Sequence, residues 1–233
     1  MTDDQDIPSL TGTGLSPISG TSRRDAVVME IKRGIVLDRI RPGERLTEQS
    51  LSAALQVSRP TIREALNQMV MEGLLIQEPY RGMRVADLEP QAVLDLAHVR
   101  MAIDMQAVEA ILDDSTGRRM ELLDRAWAAY ERHADSKDPL IQHETHVALH
   151  HGVWAASENS FLTRLWPVFE AHITIALAHD QATRHDQERA YIVHKELFDA
   201  ITSRDLDRIR TAFSHHTLDS ARDLVALMET DNS

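Results

Sequence analysis

The run Val57-Ser58-Arg59-Pro60-Thr61-Ile62-Arg63-Glu64-Ala65-Leu66 decides how the first third of this chain is read. Ile62, Ala65, Leu66 and Met69 recur at steps of three and four, the spacing of one apolar stripe on a helix. Ser58 stands before the stripe as a natural N-cap, and Gly73 follows it as a stop. Working upstream, Thr47 is placed to cap a shorter helix whose Leu51, Ala54 and Leu55 face inward. Arg41-Pro42-Gly43-Glu44 is a turn, and Val27, Val28, Ile31, Ile35 and Val36 mark a first helix from about Arg24 to Asp38. Downstream, Leu74–Gln77 and Met83–Val85 read as two strands around Pro79-Tyr80-Arg81-Gly82, a hairpin. Three helices closed by a β-hairpin wing make a winged helix-turn-helix over residues 21–86.

Charge divides the chain at the same place. The whole has a net charge of −12, which argues against a nucleic-acid partner until it is resolved by segment. Residues 1–20 carry three Asp and no Lys or Arg; polar and without periodicity, they read as a disordered tail. Residues 21–86 hold eleven Lys/Arg against eight Asp/Glu, a local excess of +3, whereas residues 87–233 carry −12. A basic patch on the first folded segment is what attraction to phosphate requires. All twelve histidines lie beyond residue 97. There is no cysteine, hence no thiolate metal site or disulfide, and no apolar run near the roughly 18 residues that span a bilayer. The acidic start lacks the basic and apolar parts of a signal peptide, so a cytoplasmic protein without membrane contact is expected.

With its apolar stripe committed to a core, the third helix leaves Arg59, Thr61, Arg63 and Asn67 outward. An arginine near the start of a recognition helix can pair bidentately with guanine O6 and N7. Ser58 and Thr61 suit phosphate contacts beside the exposed amides of the helix N-terminus. Arg81 and Gly82 sit at the wing tip, within reach of the neighbouring backbone or minor groove. Any one of these charges alone is as well explained as a solvated face; the set is not.

From Glu89 onward there is no strand signal. Helical periods over about 90–113, 117–134, 139–157, 160–179, 187–203 and 205–229 predict an antiparallel all-α bundle, with Asn159, Ser203 and Asp205 as caps. The fold class is therefore mainly α. His146 and His150 lie four apart on one face. His194 shares a stripe with Tyr191, Leu197, Phe198 and Ile201, and His216 shares one with Ile209, Ala212 and Phe213. Neutral imidazoles converging from three helices suit a transition metal. A histidine on an apolar face is as readily a hydrogen-bonded core residue, so spacing leaves both readings open.

Arg41-Pro42-Gly43-Glu44-Arg45-Leu46, the Val57–Leu66 run, Glu72-Gly73-Leu74 and Arg81-Gly82 together resemble the GntR family of bacterial repressors. The resemblance implies operator contacts by Ser58, Arg59, Thr61, Arg63 and Gly82. Departures are Pro60-Thr61, where many members read Thr-Pro, and Gln49, where some carry an arginine. Residues 87–233 resemble the FCD-type ligand-binding domain of the FadR branch. That pattern implies metal ligands at His150, nine before Asn159, at His194, heading the run His194-Lys195-Glu196-Leu197-Phe198-Asp199-Ala200-Ile201, and at His216, twenty-two further on. The pattern's Asp is here His146, leaving a four-histidine set or a weaker site. Four neutral histidines around a divalent ion sum to +2 rather than +1, a set suited to zinc or nickel over magnesium or calcium. Arg100 matches the family's arginine on the first bundle helix and could clamp a carboxylate. His98 and Asp104 flank it without an assigned role; Trp154 and Trp166 read as core or cavity wall.

The expectation is a homodimeric regulator of double-stranded palindromic operator DNA, a repressor controlled by a small carboxylate at a histidine-rich zinc or nickel site. An alternative makes the metal itself the signal. A metal-dependent hydrolase fused to the DNA-binding segment is a third reading, but no HExxH-type run supports an enzyme. In a fourth, the winged helix makes protein contacts only.

Overall fold

A computed structural model describes residues 22–78, 82–184 and 187–231, without the side chains of 178–187 and 230–231. The tail reading for residues 1–20 and the wing-tip residue Arg81 fall outside them. The described elements are α1 (Arg23–Val36), β1 (Arg45–Leu46), α2 (Glu48–Leu55), α3 (Arg59–Met71), β2 (Leu75–Glu78), β3 (Gly82–Val85), α4 (Pro90–Leu112), α5 (Arg118–Glu131), α6 (Pro139–Ala156), α7 (Ser160–Arg184), α8 (Gln187–Ser203), α9 (Leu206–Ser214) and α10 (Ser220–Asp231). A single π-helical turn, His215–Asp219, joins the last two.

In the first unit, α1 and α3 bury Val27, Val28, Ile31, Ile35, Ile62, Ala65, Leu66 and Met69 against each other. Thr47 caps α2 by accepting the Ser50 amide proton. Ser58 holds the N-cap position of α3 but does not cap it with its side chain; its hydroxyl bonds the Thr61 hydroxyl at 2.9 Å instead. Ala54, expected inward, is exposed. At the end of α3, Gly73 takes φ +83°, the Leu74 amide reaches back to the Met69 carbonyl and the Gly73 amide to that of Val70. These two bonds close the helix and turn the chain into the wing. The wing has a third strand that periodicity missed: β1 pairs antiparallel with β3, Arg45 opposite Arg84, while β2 pairs on the other edge, Leu75 opposite Val85. Two residues are too few to carry an alternation signal.

The remaining helices form the bundle, with Trp154, Trp166, Ile111, Leu123, Ile201 and Phe213 in its core. Asn159 and Asp205 cap α7 and α9, and Ser203 accepts the Asp205 amide proton. The expected last helix over 205–229 is interrupted where the π turn inserts a residue. The two units share a core: Ala171 and Ile175 of α7, Val93 and Ala97 of α4, and Ala221 and Leu224 of α10 join the cluster built on α1 and α3. Lys32 of α1 reinforces this with an ion pair to Glu170 of α7 at 2.8 Å.

Candidate DNA-reading face and histidine site

On α3, Arg59 and Arg63 project from the exposed face and Thr61 is half-buried at the start of the helix. Arg63 is held by Glu48 of α2 in a two-pronged pair, Nε to Oε1 at 2.6 Å and Nη2 to Oε2 at 2.8 Å. That hydrogen bond lowers the Glu48 carboxyl below its ordinary range. Gly82 opens β3 at φ +88°, a backbone that L side chains rarely adopt. The expected DNA contacts Ser58, Arg59, Thr61, Arg63 and Gly82 thus lie on the start of α3 and the wing.

The four histidines meet in the bundle. His146 and His150 come from α6, His194 from α8, and His216 from the π turn. His150 Nε2 lies 3.2 Å from His194 Nε2 and 3.0 Å from His216 Nε2. His194 Nδ1 faces the Ala190 carbonyl at 2.5 Å and the Tyr130 hydroxyl at 3.3 Å. A proton is thereby fixed on Nδ1, and the Nε2 lone pair is left facing its neighbours. The His146 ring packs against those of His194 and His150, with centroids 4.6 and 4.8 Å away, and lies 6.3 Å from that of His216. Burial, with neighbouring positive charge adding to it, pushes His146, His150 and His216 well below the ordinary imidazole range. Burial likewise brings His194 to about 4. All four are neutral at pH 7.

This donor set fits a divalent metal ion. Nitrogens around a tetrahedral zinc at 2.0–2.1 Å stand roughly 3.3 Å apart, close to the separations of His150 Nε2 from those of His194 and His216. One proton on His150 Nε2 serves two neighbouring lone pairs poorly, whereas one cation serves all three. His146, His150 and His194 offer ligand nitrogens that all lie within 4.8 Å of one another, and His216 Nε2 joins them through His150 at 3.0 Å. Asn159, nine residues on, is absent from the cluster and spends its side chain capping α7.

Arg100 of α4 is buried beside them, with Nη2 3.4 Å from His216 Nε2. Its Nε lies 3.3 Å from Asp104 Oδ2, and Asp104 Oδ1 accepts the Trp154 indole proton at 2.6 Å. Asp104, left unassigned by the sequence, is thus what holds Arg100. Burial raises its carboxyl, opposed by the Arg100 charge and the indole bond. His98 is exposed. Arg100, His146, His194 and His216 open on a cavity of about 820 Å³ that also reaches Val36, Leu37 and Asp38 at the end of α1. Sequence reasoning missed two further residues on its wall: His143, which lies 31 residues from its partner Thr174, and Thr217, which sits in the π turn.

A helix-turn-helix with a β-wing, joined to a helical bundle that holds a cavity, defines a winged-helix transcription regulator. The chain belongs to the gntR family of bacterial regulatory proteins, whose model matches residues 23–85, and its bundle is an FCD domain, matched over residues 95–219. An HTH-type transcriptional regulator from an unstable DNA locus of Streptomyces ambofaciens is 27% identical over 205 residues, covering 84% of this chain and 82% of its own. A probable D-xylose utilization operon transcriptional repressor of Paenarthrobacter nicotinovorans is 25% identical over 195 residues, covering 83% of each. The crystal structure of a GntR transcriptional regulator from Rhodococcus sp. RHA1 superposes with a TM-score of 0.70 at 19% identity, covering 88% of this chain and 99% of that one. Among the described residues no helix is long and apolar enough to cross a membrane.

Proposed function

We propose that this regulator is a repressor, that it binds a palindromic operator as a homodimer, and that a small carboxylate bound at the histidine cluster changes its operator affinity. The observation that carries this reading is the convergence of histidine nitrogens beside a buried arginine, on a cavity that also reaches Val36, Leu37 and Asp38 at the end of α1. His146, His150, His194 and His216 would hold zinc or nickel. When bound, such an ion supplies fixed positive charge and an open position for a carboxylate oxygen. Arg100 adds two parallel donors for the second oxygen, in a setting where reduced dielectric strengthens the attraction. Asp104 and Trp154 hold that guanidinium, while Tyr130 and the Ala190 carbonyl fix the tautomer of His194. A ligand touching α1, α4 and α10 shifts the balance between arrangements of the two units only if it binds one of them more tightly.

Duplexes selected from a random library on the zinc-loaded protein test this reading. Binding should be salt-dependent, palindromic and altered by a carboxylate only when zinc is present. His194→Ala should lose both the metal, measured by elemental analysis, and the response. A response to zinc alone, with no organic ligand, would replace the carboxylate reading with metal sensing.

A further inference from the structure

Glu72-Gly73-Leu74, at the end of α3, is only partly accounted for by the local fold. Gly73 supplies the positive φ of the stop, and Leu74 is fully buried. Glu72 is misplaced by helix physics alone, because a carboxylate at a helix C-terminus faces the negative end of the dipole. Its side chain is 14% exposed and its Oε1 accepts from Gln68 Nε2 at 2.9 Å. Its buried Oε2 accepts no hydrogen bond among the described residues; what faces it is Lys32 of α1, with Nζ 3.6 Å away. The same Nζ donates to Glu170 Oε1 of α7 at 2.8 Å. One ammonium thus ties the end of the reading helix, the first helix and a bundle helix at a single point.

A second contact falls on the same corner. His172 Nδ1 donates to the Val168 carbonyl at 2.7 Å, and the ring so fixed covers Gly73, where a Cβ would stand 2.9 Å from His172 Cε1. Ala171 and Ile175, one turn apart and fully buried, enter the core that α1 and α3 build. Apolar burial holds the two units together but has no direction. The charge triad does, and with side chains 14%, 22% and 27% exposed it escapes much of the screening by salt.

Resting on the reading that the chain binds a palindromic operator as a homodimer, we infer that Lys32, Glu72 and Glu170 are positioning residues for operator recognition. The triad sets the angle at which α3 leaves the bundle. In a dimer joined through its bundles, it therefore sets the half-site spacing that the two reading helices accept. The lever is long: α3 runs from Met71, beside the triad, to Arg59 at the DNA-reading end, about 20 Å. A small rotation at one end displaces the other along the groove.

The chain has no cysteine, so Glu30→Cys on α1 and Asp124→Cys on α5, both exposed positions, give one spin-label pair across the two units. Pulsed dipolar spectroscopy of the full chain, diluted into unlabelled protein, reads their arrangement. Anisotropy titrations of the unlabelled chain compare a selected palindrome, the same palindrome with its spacer lengthened, and a single half-site. Wild type should show one narrow distance and reject the lengthened spacer. Glu170→Gln, close in shape and without charge, should broaden the distance. It should also bind the selected palindrome about tenfold more weakly, as the advantage of two-site engagement falls, with half-site affinity kept. Lys32→Met should match it, and Lys32→Arg should match wild type. Unchanged distances in Glu170→Gln and Lys32→Met would overturn the triad and leave the angle to the apolar core. A broadened distance with spacer selectivity intact, or half-site affinity lost in parallel, would overturn its role in operator recognition. Wild type binding half-site and palindrome equally would overturn the dimeric reading instead, and the distances would still decide the triad.

Discussion

Arg100 and His216 share one lone pair: Arg100 Nη2 lies 3.4 Å from His216 Nε2, the nitrogen that also faces His150 Nε2 at 3.0 Å. A metal ion held by His216 needs that lone pair, so metal and guanidinium compete for it and repel each other as like charges. An anion between them reverses the sign, because it is attracted by both.

Arg100→Met should therefore raise zinc affinity in the absence of carboxylate, by about tenfold for a neighbouring unit charge removed from a partly screened interior. The same variant should lose carboxylate binding. Competition titration with a chromogenic chelator, with and without acetate, measures both effects. Weaker zinc binding in the variant would mean that Arg100 supports the histidines rather than competing for them.

The carboxylate that holds Arg100 is the more fragile partner. Asp104 is 1% exposed, ion-paired with Arg100 and hydrogen-bonded by the Trp154 indole. Asp104→Ala leaves a buried guanidinium without its counter-charge and should cost about 3–5 kcal/mol in urea unfolding. Replacing both charges, as in Arg100→Met with Asp104→Leu, should recover most of that loss. If the double variant is no more stable than the single one, Asp104 acts mainly through Trp154.

The legible parts of this molecule are those that periodicity controls. The α3 stripe, the capping of α2 by Thr47 and the inward histidines on α6 and α8 follow from spacings of three and four, which constrain faces strongly. What escaped has local physical reasons. β1 is two residues long and exists only because β3 lies beside it. The π turn leaves the 205–229 pattern almost intact while shifting register by one residue, and this places Thr217 beside His216 on the cavity wall. Asp104 carries no signal of its own, since a carboxylate four residues after an arginine is usually a surface pair. Only the depth of α4 in the bundle makes it structural.

His143 gives a pH dependence with a definite sign. Its Nε2 is 3.3 Å from the Thr174 hydroxyl, and burial lowers it to about 4 from the ordinary imidazole value. Above about pH 6.5 the residue is neutral in folded and unfolded chains alike, and its contribution is fully present. Between there and its folded value, only the unfolded chain takes the proton, so stability falls by about 1.4 kcal/mol per pH unit for this one group. The four cluster histidines, lowered in the same direction, add to the slope in metal-free protein. Urea unfolding between about pH 7 and pH 5 should show the loss, and His143→Gln should reduce proton uptake on unfolding by about one. A slope unchanged by this substitution would mean that His143 titrates normally in the folded chain.

The Glu48–Arg63 pair bears on DNA. It joins the two helices of the reading motif, yet the Arg63 side chain is 60% exposed, so the pair opens at little expense to the fold. Glu48 is both a clamp on Arg63 and a negative charge on a face that would meet phosphate. Glu48→Gln should therefore tighten binding to any duplex and leave thermal unfolding nearly unchanged. Arg63→Ala should weaken the selected operator by about tenfold or more and relax base preference at one position in each half-site. Anisotropy titrations of selected and random duplexes over a range of salt separate the two roles. If Arg63→Ala lowers both affinities equally, with the selectivity ratio intact, Arg63 is a phosphate contact and base reading passes to Arg59.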